Sequence, residues 1–125
     1  MTKLKTVRVA DERRVELHDS LSLTGCEVSV NNLAAHEAIP FVHYHDQNEE
    51  VYLILSGDGL AWLDGEFAEI AEGDCFKVGP AERRCLKAGP RGIRYICVQC
   101  RENSLTRFTM ADGKLAEGVT VDWPA

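Results

Sequence analysis

The sequence predicts an all-β domain, a sandwich or barrel. Three observations carry this. Short runs of β-forming residues recur along most of the chain. Turn signals separate them about every eight to ten residues. No stretch of 10–18 residues holds a convincing helical period, although residues 33–37 have the composition of a single turn. The chain has 125 residues, of which 45% are apolar and 27% charged, enough for one domain with one real core. The core barrel is expected over about residues 20–100, followed by a polar C-terminal extension over 101–125.

The elements follow in order. Leu21-Ser-Leu-Thr24 and Cys26-Glu-Val-Ser-Val30 alternate apolar and polar, the period of a half-buried strand. Residues 41–45 are extended, entered through Pro40, which disfavours helix at Ile39. Residues 51–55 are rich in β-formers, and Ser56-Gly-Asp-Gly59 reads as a turn. A short strand over 60–63 meets Asp64-Gly65, a strong hairpin signal, and residues 66–70 alternate again. Glu72-Gly-Asp74 and Gly79-Pro80 turn around a strand over 75–78. Residues 84–88 are extended, Gly89-Pro-Arg-Gly92 turns, and 93–100 is the last long strand. The tail beyond Arg101 has few strand formers. It either packs along the barrel or a partner subunit, or is partly disordered.

Charge and composition narrow the function. A net charge of −6 with only scattered basic residues (Arg13-Arg14 and Arg83-Arg84 are isolated pairs) argues against nucleic acid. No apolar run approaches a membrane span, and the alternating N-terminus is no secretory signal, so a cytoplasmic location is expected. Five cysteines, an odd number without framework spacing, predict reduced thiols. Cys97-x-x-Cys100 lies in a strand, where i and i+3 face opposite sides, so a shared redox or zinc site is not expected.

The richest stretch is His43-Tyr-His-Asp-Gln-Asn-Glu-Glu50. On a strand, His43 and His45 share one face and Tyr44 turns outward. If residues 46–49 form a hairpin loop, shaped by Gln47 and Asn48, Glu50 stands opposite His45 with Cβ atoms roughly 4.5–5.5 Å apart. Two imidazoles and a carboxylate make a divalent transition-metal site: Fe, Mn, Ni, Co or Zn. The competing reading is a metal-free polar triad that bonds internally or binds ligand directly. Tyr52 shares the face of Glu50, and Gln99 shares one with Tyr95 and Cys97; both are candidates to line a pocket. His18 and His36 lie in polar, loop-like stretches and read as solvated.

His43-x-His45, four residues, Glu50, six residues, Gly57 resembles the first motif of the cupin superfamily. Gly65-Glu66, Glu72-Gly73-Asp74, Gly79-Pro80-Ala81 and Arg84-Cys85 resemble a degenerate second motif, so the resemblance spans roughly residues 25–100. It implies a jelly-roll barrel (double-stranded β-helix) of two antiparallel sheets, often dimeric. It also implies a metal in the barrel mouth, held by His43, His45, Glu50 and a histidine of the second motif. This chain has no histidine after residue 45. Counting from Gly73 puts Arg84 at the fourth corner; aligning on Pro80-Ala81 puts Cys85 there. Of the two, Cys85 is the better ligand, since a thiolate binds zinc or iron. Arg84 stays protonated and would pair with Glu50 or clamp an anionic substrate. Strand alternation forbids both from facing inward unless a bulge intervenes.

Three function classes stay open. One is a metal-dependent oxygenase, isomerase or lyase acting on a small polar molecule. The second is a non-catalytic small-molecule binder. The third is a metal-free isomerase or epimerase with histidine as base. A homodimer is expected in each case.

Overall fold

The computed structural model describes residues 4–125. It contains six antiparallel strands: β1 (Arg14–Glu16), β2 (Glu27–Leu33), β3 (Asn48–Leu63), β4 (Glu66–Ala71), β5 (Cys75–Val78) and β6 (Arg84–Arg101). One short helix, α1 (His18–Leu21), and a 3-10 turn over Thr109–Ala111 complete it. The ladder runs β1-β2-β6-β3-β4, with β5 also paired to β3.

β3 and β6 are the two long strands, and everything else is placed by them. Along its first half β3 lies between β5 and the end of β6; along its second half it lies between β4 and the start of β6. The register shifts twice, between Ile54 and Ser56 and between Gly57 and Gly59. These shifts correct the reading of Ser56-Gly-Asp-Gly59 and Gly89-Pro-Arg-Gly92 as turns that end strands, since both stretches lie inside the long strands β3 and β6. Ser56, Gly57 and Gly59 pair with Arg94, Ile93 and Ala88, while residues 89–92 have no partner in the register and form an irregular insert in β6. Gly57 has φ +81°, and a Cβ there would lie 2.0 Å from the Gly92 carbonyl oxygen. Only glycine permits that approach. A bulge bends its strand and raises the local twist, so the sheet folds over on itself here.

The two halves pack face to face. Tyr52, Ile54, Tyr95 and Cys97 from one half share a single buried cluster with Ala61, Ile70, Leu86 and Ala88 from the other. The result is the expected jelly-roll barrel, with an apolar core closing the end beyond the bulges. Inward positions alternate with outward ones along β6: Arg84, Leu86 and Ala88 are buried and Lys87 is exposed. Asp64-Gly65 makes the expected hairpin, with both residues at positive φ.

One local expectation fails. Residues 18–21, ahead of the alternating Leu21-Ser-Leu-Thr24, form a helical turn stopped by Ser22 in the left-handed region, and β2 starts later, at Glu27. Of the tail, for which several placements were open, the structure shows that residues 101–125 are exposed throughout.

Candidate metal centre

His43 and His45 reach the barrel interior by an unexpected route. Glu50 is not opposite His45 in a hairpin. Its direct neighbours are Gln99 on β6 and Val78 on β5. Both edges of β3 are therefore occupied, and the histidine segment pairs with the start of β6 instead. His43 and Arg84 exchange backbone hydrogen bonds of 3.2 and 3.1 Å, and the His45 amide donates to the Pro80 carbonyl at 2.8 Å. Alternation survives: Val42 and Tyr44 are exposed while His43 and His45 are half-buried. Tyr44 faces outward as expected, with the Arg83 guanidinium 5.1 Å over its ring.

The three residues converge. One ligand atom from each of His43, His45 and Glu50 lies within 4.8 Å of the others. The His43 Nε2 is 3.6 Å from Glu50 Oε1, and the His45 Nε2 is 3.4 Å from Glu50 Oε2. The two imidazole rings stand 5.2 Å apart and nearly perpendicular. His43 Nδ1 and His45 Nε2 are buried without a hydrogen-bond partner among the described residues. Buried polar atoms normally find partners, so the orphaned His45 Nε2, which faces Glu50, fits a set of donors arranged for a cation, with His43 turned to Glu50 through its Nε2.

Glu50 is the best-connected group in the site. The Tyr52 hydroxyl donates to its Oε1 at 2.8 Å, and Arg84 Nη1 donates to the same oxygen. The Cys97 thiol donates to Oε2 at 3.3 Å. Burial by itself would raise this carboxyl, but contacts from His43, Arg84, Tyr52 and Cys97 outweigh it and hold it well below the usual carboxylate range. Burial, then the neighbouring Glu50 charge, pushes the Cys97 thiol up. Cys97 is therefore a neutral donor that orients Glu50.

The fourth corner belongs to Arg84, which corrects the preference for Cys85. The bulged stretch of β6 lies beyond residue 88, so alternation over residues 84–88 is unbroken. Arg84 points inward and is 2% exposed. Cys85 points outward, its sulfur 3.2 Å from the Ile39 carbonyl, in a separate groove with Val42, Leu60, Trp62 and Phe67. It cannot reach the imidazoles. Nor is Arg84 free to clamp a substrate. Its Nε donates to the Glu82 carbonyl, and its Nη2 to the carbonyls of Gly79, Pro80 and Glu82. With Nη1 on Glu50, the guanidinium is spent on the protein.

The triad opens into a cavity of about 300 Å³ lined also by Arg14, Ile39, Phe41, Tyr52, Tyr95, Cys97 and Gln99. Tyr52 and Gln99 thus stand where pocket-lining residues were expected. Tyr52 stacks on Phe76 at 5.1 Å. Gln99 accepts a hydrogen bond from Asn48 at 2.9 Å. Arg14 and Phe41 were not legible as site residues. Arg14 comes from a three-residue strand far from either motif, and nothing in its local sequence marks it. Cys97 and Cys100 face opposite ways as expected, and all five cysteines are free.

No protein-family model matches the chain, and no curated protein matches it. Solved structures do. A cupin protein from Bacteroides fragilis is 46% identical over 92% of this chain and 98% of its own, with a TM-score of 0.86. A sugar phosphate isomerase of the cupin superfamily from Silicibacter pomeroyi is 19% identical over 71% of this chain and 60% of its own, at TM-score 0.62. A predicted oxalate decarboxylase from Thermotoga maritima is 17% identical over 70% and 78% of the two chains, at TM-score 0.57. The last two share the fold alone. The match to the Bacteroides fragilis protein runs almost end to end at nearly half identity, and with it the motif spacing and the barrel agree: this chain belongs to the cupins.

Proposed function

We propose that this cupin binds a divalent transition metal through His43, His45 and Glu50 and acts on a small polar molecule in the barrel mouth. The observation that carries this is the buried, unpartnered His45 Nε2 beside Glu50 Oε2, with the second imidazole in reach. Arg84 and Tyr52 both hold Glu50 by Oε1, while Oε2 accepts from the Cys97 thiol, a weak donor, and is the oxygen more available to the cation. When bound, the ion supplies Lewis acidity toward a carbonyl or, as Fe(II), oxygen chemistry. The chain's own part is to bind, orient and exclude water. Phe41, Ile39 and Tyr95 give the mouth apolar walls, and Gln99 offers a polar edge opposite Glu50. Oxygenase, isomerase and lyase activities all suit three ligands with open coordination positions.

The purified protein is expected to take up Fe, Mn, Ni, Co or Zn near one equivalent, and His45→Ala to abolish uptake. Elemental analysis after loading checks this; a wild-type chain that refuses all five ions overturns it. A second reading rests on the Arg84–Glu50 pair, which already neutralises the carboxylate without a metal. It makes the protein a metal-free binder or isomerase, and predicts ligand binding unaffected by chelator.

The same proposal includes a soluble cytoplasmic homodimer. Among the described residues no helix is long and apolar enough to cross a membrane. Phe67, Leu60 and Val42 surround an open apolar groove of about 270 Å³ on the outer face. The tail carries exposed Leu105, Phe108 and Trp123, apolar side chains of the kind that such a groove accepts from a second copy.

A further inference from the structure

The cavity at the metal centre does not end at the barrel mouth. A second cavity of about 380 Å³ is lined by Arg13, Arg14, Asn31, Leu33, Ile39, Pro40, Phe41 and Tyr95. It shares Arg14, Ile39, Phe41 and Tyr95 with the first. The two are one cleft, with the imidazoles and Glu50 at its inner end and arginines at its outer end.

Arg14 stands on the shared wall, and the fold builds a support for it. Arg14 pairs directly with Asn31 across the β1–β2 ladder. Its Nη1 donates to Asn31 Oδ1 at 2.9 Å. Asn31 in turn donates from Nδ2 to the Ser29 hydroxyl at 3.0 Å. Asn31 and Ser29 are 3% and 1% exposed, polar side chains on the inward face of β2 where apolar ones would pack better. Burying polar groups is unfavourable unless they bond, and these bond to each other and to the guanidinium. Arg14 Nε reaches Glu16 only at 3.4 Å, on the exposed side. Arg14 Nη2 has no protein acceptor within hydrogen-bond distance among the described residues.

The other cations of the cleft are committed. Arg84 is saturated by Glu50 and backbone carbonyls. Arg13 pairs with Glu37 at 3.1 Å. Glu50 has its counter-charge in Arg84. That leaves the oriented guanidinium of Arg14 facing a cleft with apolar walls, which suits a planar anion attached to an apolar body.

We propose that Arg14 is a substrate-binding residue that selects small carboxylic acids: the carboxylate on Arg14, an aliphatic or aromatic body against Leu33, Ile39, Phe41 and Tyr95, and a carbonyl or hydroxyl directed to the inner end. The reactive end of this assignment rests on the metal-centre reading; the carboxylate end does not. Asn31 is a positioning residue, acting through Arg14.

The test uses 4-methyl-2-oxopentanoate and its amide as probes, with affinity read by calorimetry on the full chain. Wild-type protein is expected to bind the acid at least 10-fold more tightly than the amide. Arg14→Gln is expected to lose about 10-fold to 100-fold toward the acid, the worth of a charged hydrogen-bonded contact, and to bind acid and amide alike. Arg14→Lys restores part of the preference. Arg13→Gln changes it less than threefold. Asn31→Leu keeps Arg14 but weakens acid binding, while metal content stays at the wild-type level in every Arg14 and Asn31 variant. Equal binding of acid and amide by the wild type, no binding of either, or an Arg14→Gln protein that keeps the preference overturns the proposal. His45→Ala separates the two readings. If it removes metal but an Arg14-dependent preference persists, both stand. If no metal binds in the wild type yet the preference is seen, only the metal centre falls.

Discussion

Arg84 and Glu50 occupy the place where a cation centre and a salt bridge compete for one carboxylate. Both are almost fully buried, so each depends on the other for its charge. Arg84→Met leaves Glu50 desolvated without its partner and is expected to destabilise the fold by about 3–5 kcal/mol, read from denaturant melts. A change under 1 kcal/mol (by order of magnitude) would mean that Glu50 simply takes up a proton. The tyrosines give a pH signature. Burial raises both Tyr52 and Tyr95 above the ordinary phenol value of 10.0. An unfolded chain releases these protons near pH 10 while the folded chain keeps them. Stability is therefore full below that pH and falls as pH rises through it. Tyr95→Phe removes one of the two groups and should make the fall shallower in melting temperatures taken from about pH 8 to pH 11. His43 and His45 were legible at this scale because a spacing of two on an extended segment brings them to one face, and Glu50 by its residue type and its place in the motif, though not by the pairing that carries it to them. Arg84 against Cys85 was not, because neighbours on a strand differ only by register. Arg14 was not, because its role arises from β2 across the ladder.

At the scale of elements, the glycine inside β3 and the glycine of the β3–β4 hairpin turn are of two kinds. Gly57 needs both a positive φ and the space that a Cβ would take from Gly92, whereas Gly65, at φ +93°, has open surroundings. Gly65→Ala is expected to lose about 1–2 kcal/mol, the backbone term alone. Gly57→Ala should lose distinctly more, since it also forces β3 and β6 apart at the bulge. Equal losses in paired thermal melts would show that the bulge relaxes freely. Glycine-rich stretches at 56–59 and 89–92 read as turns in the sequence, since glycine, aspartate and proline mark turns and bulges alike. What separates the two is whether a long partner strand continues beside them, and that is a non-local fact. The histidine segment was misplaced for a related reason. A hairpin to β3 was locally sensible, but β5 and β6 had already taken both edges.

Among the described residues, apolar surface is left uncovered around Phe67 and along the tail from residue 102 onward. Light scattering on the full chain is expected to give a dimer, and truncation after Arg101 a weaker one or a monomer; a monomeric full-length chain overturns the dimer. The tail illustrates a limit of composition. Its polar character and lack of strand formers were readable, but not that its apolar side chains would stand exposed. By itself the sequence determined the all-β class, most strand positions and the shared face of the two imidazoles, because alternation and turn chemistry act over a few residues. Only the tertiary structure decided that Arg84 closes the fourth corner, that Cys85 faces away, that the glycine stretches lie inside two long strands, and that Arg14 stands over the cleft. Each of these depends on strand register and on which edges are free, and those are settled by chain segments dozens of residues apart.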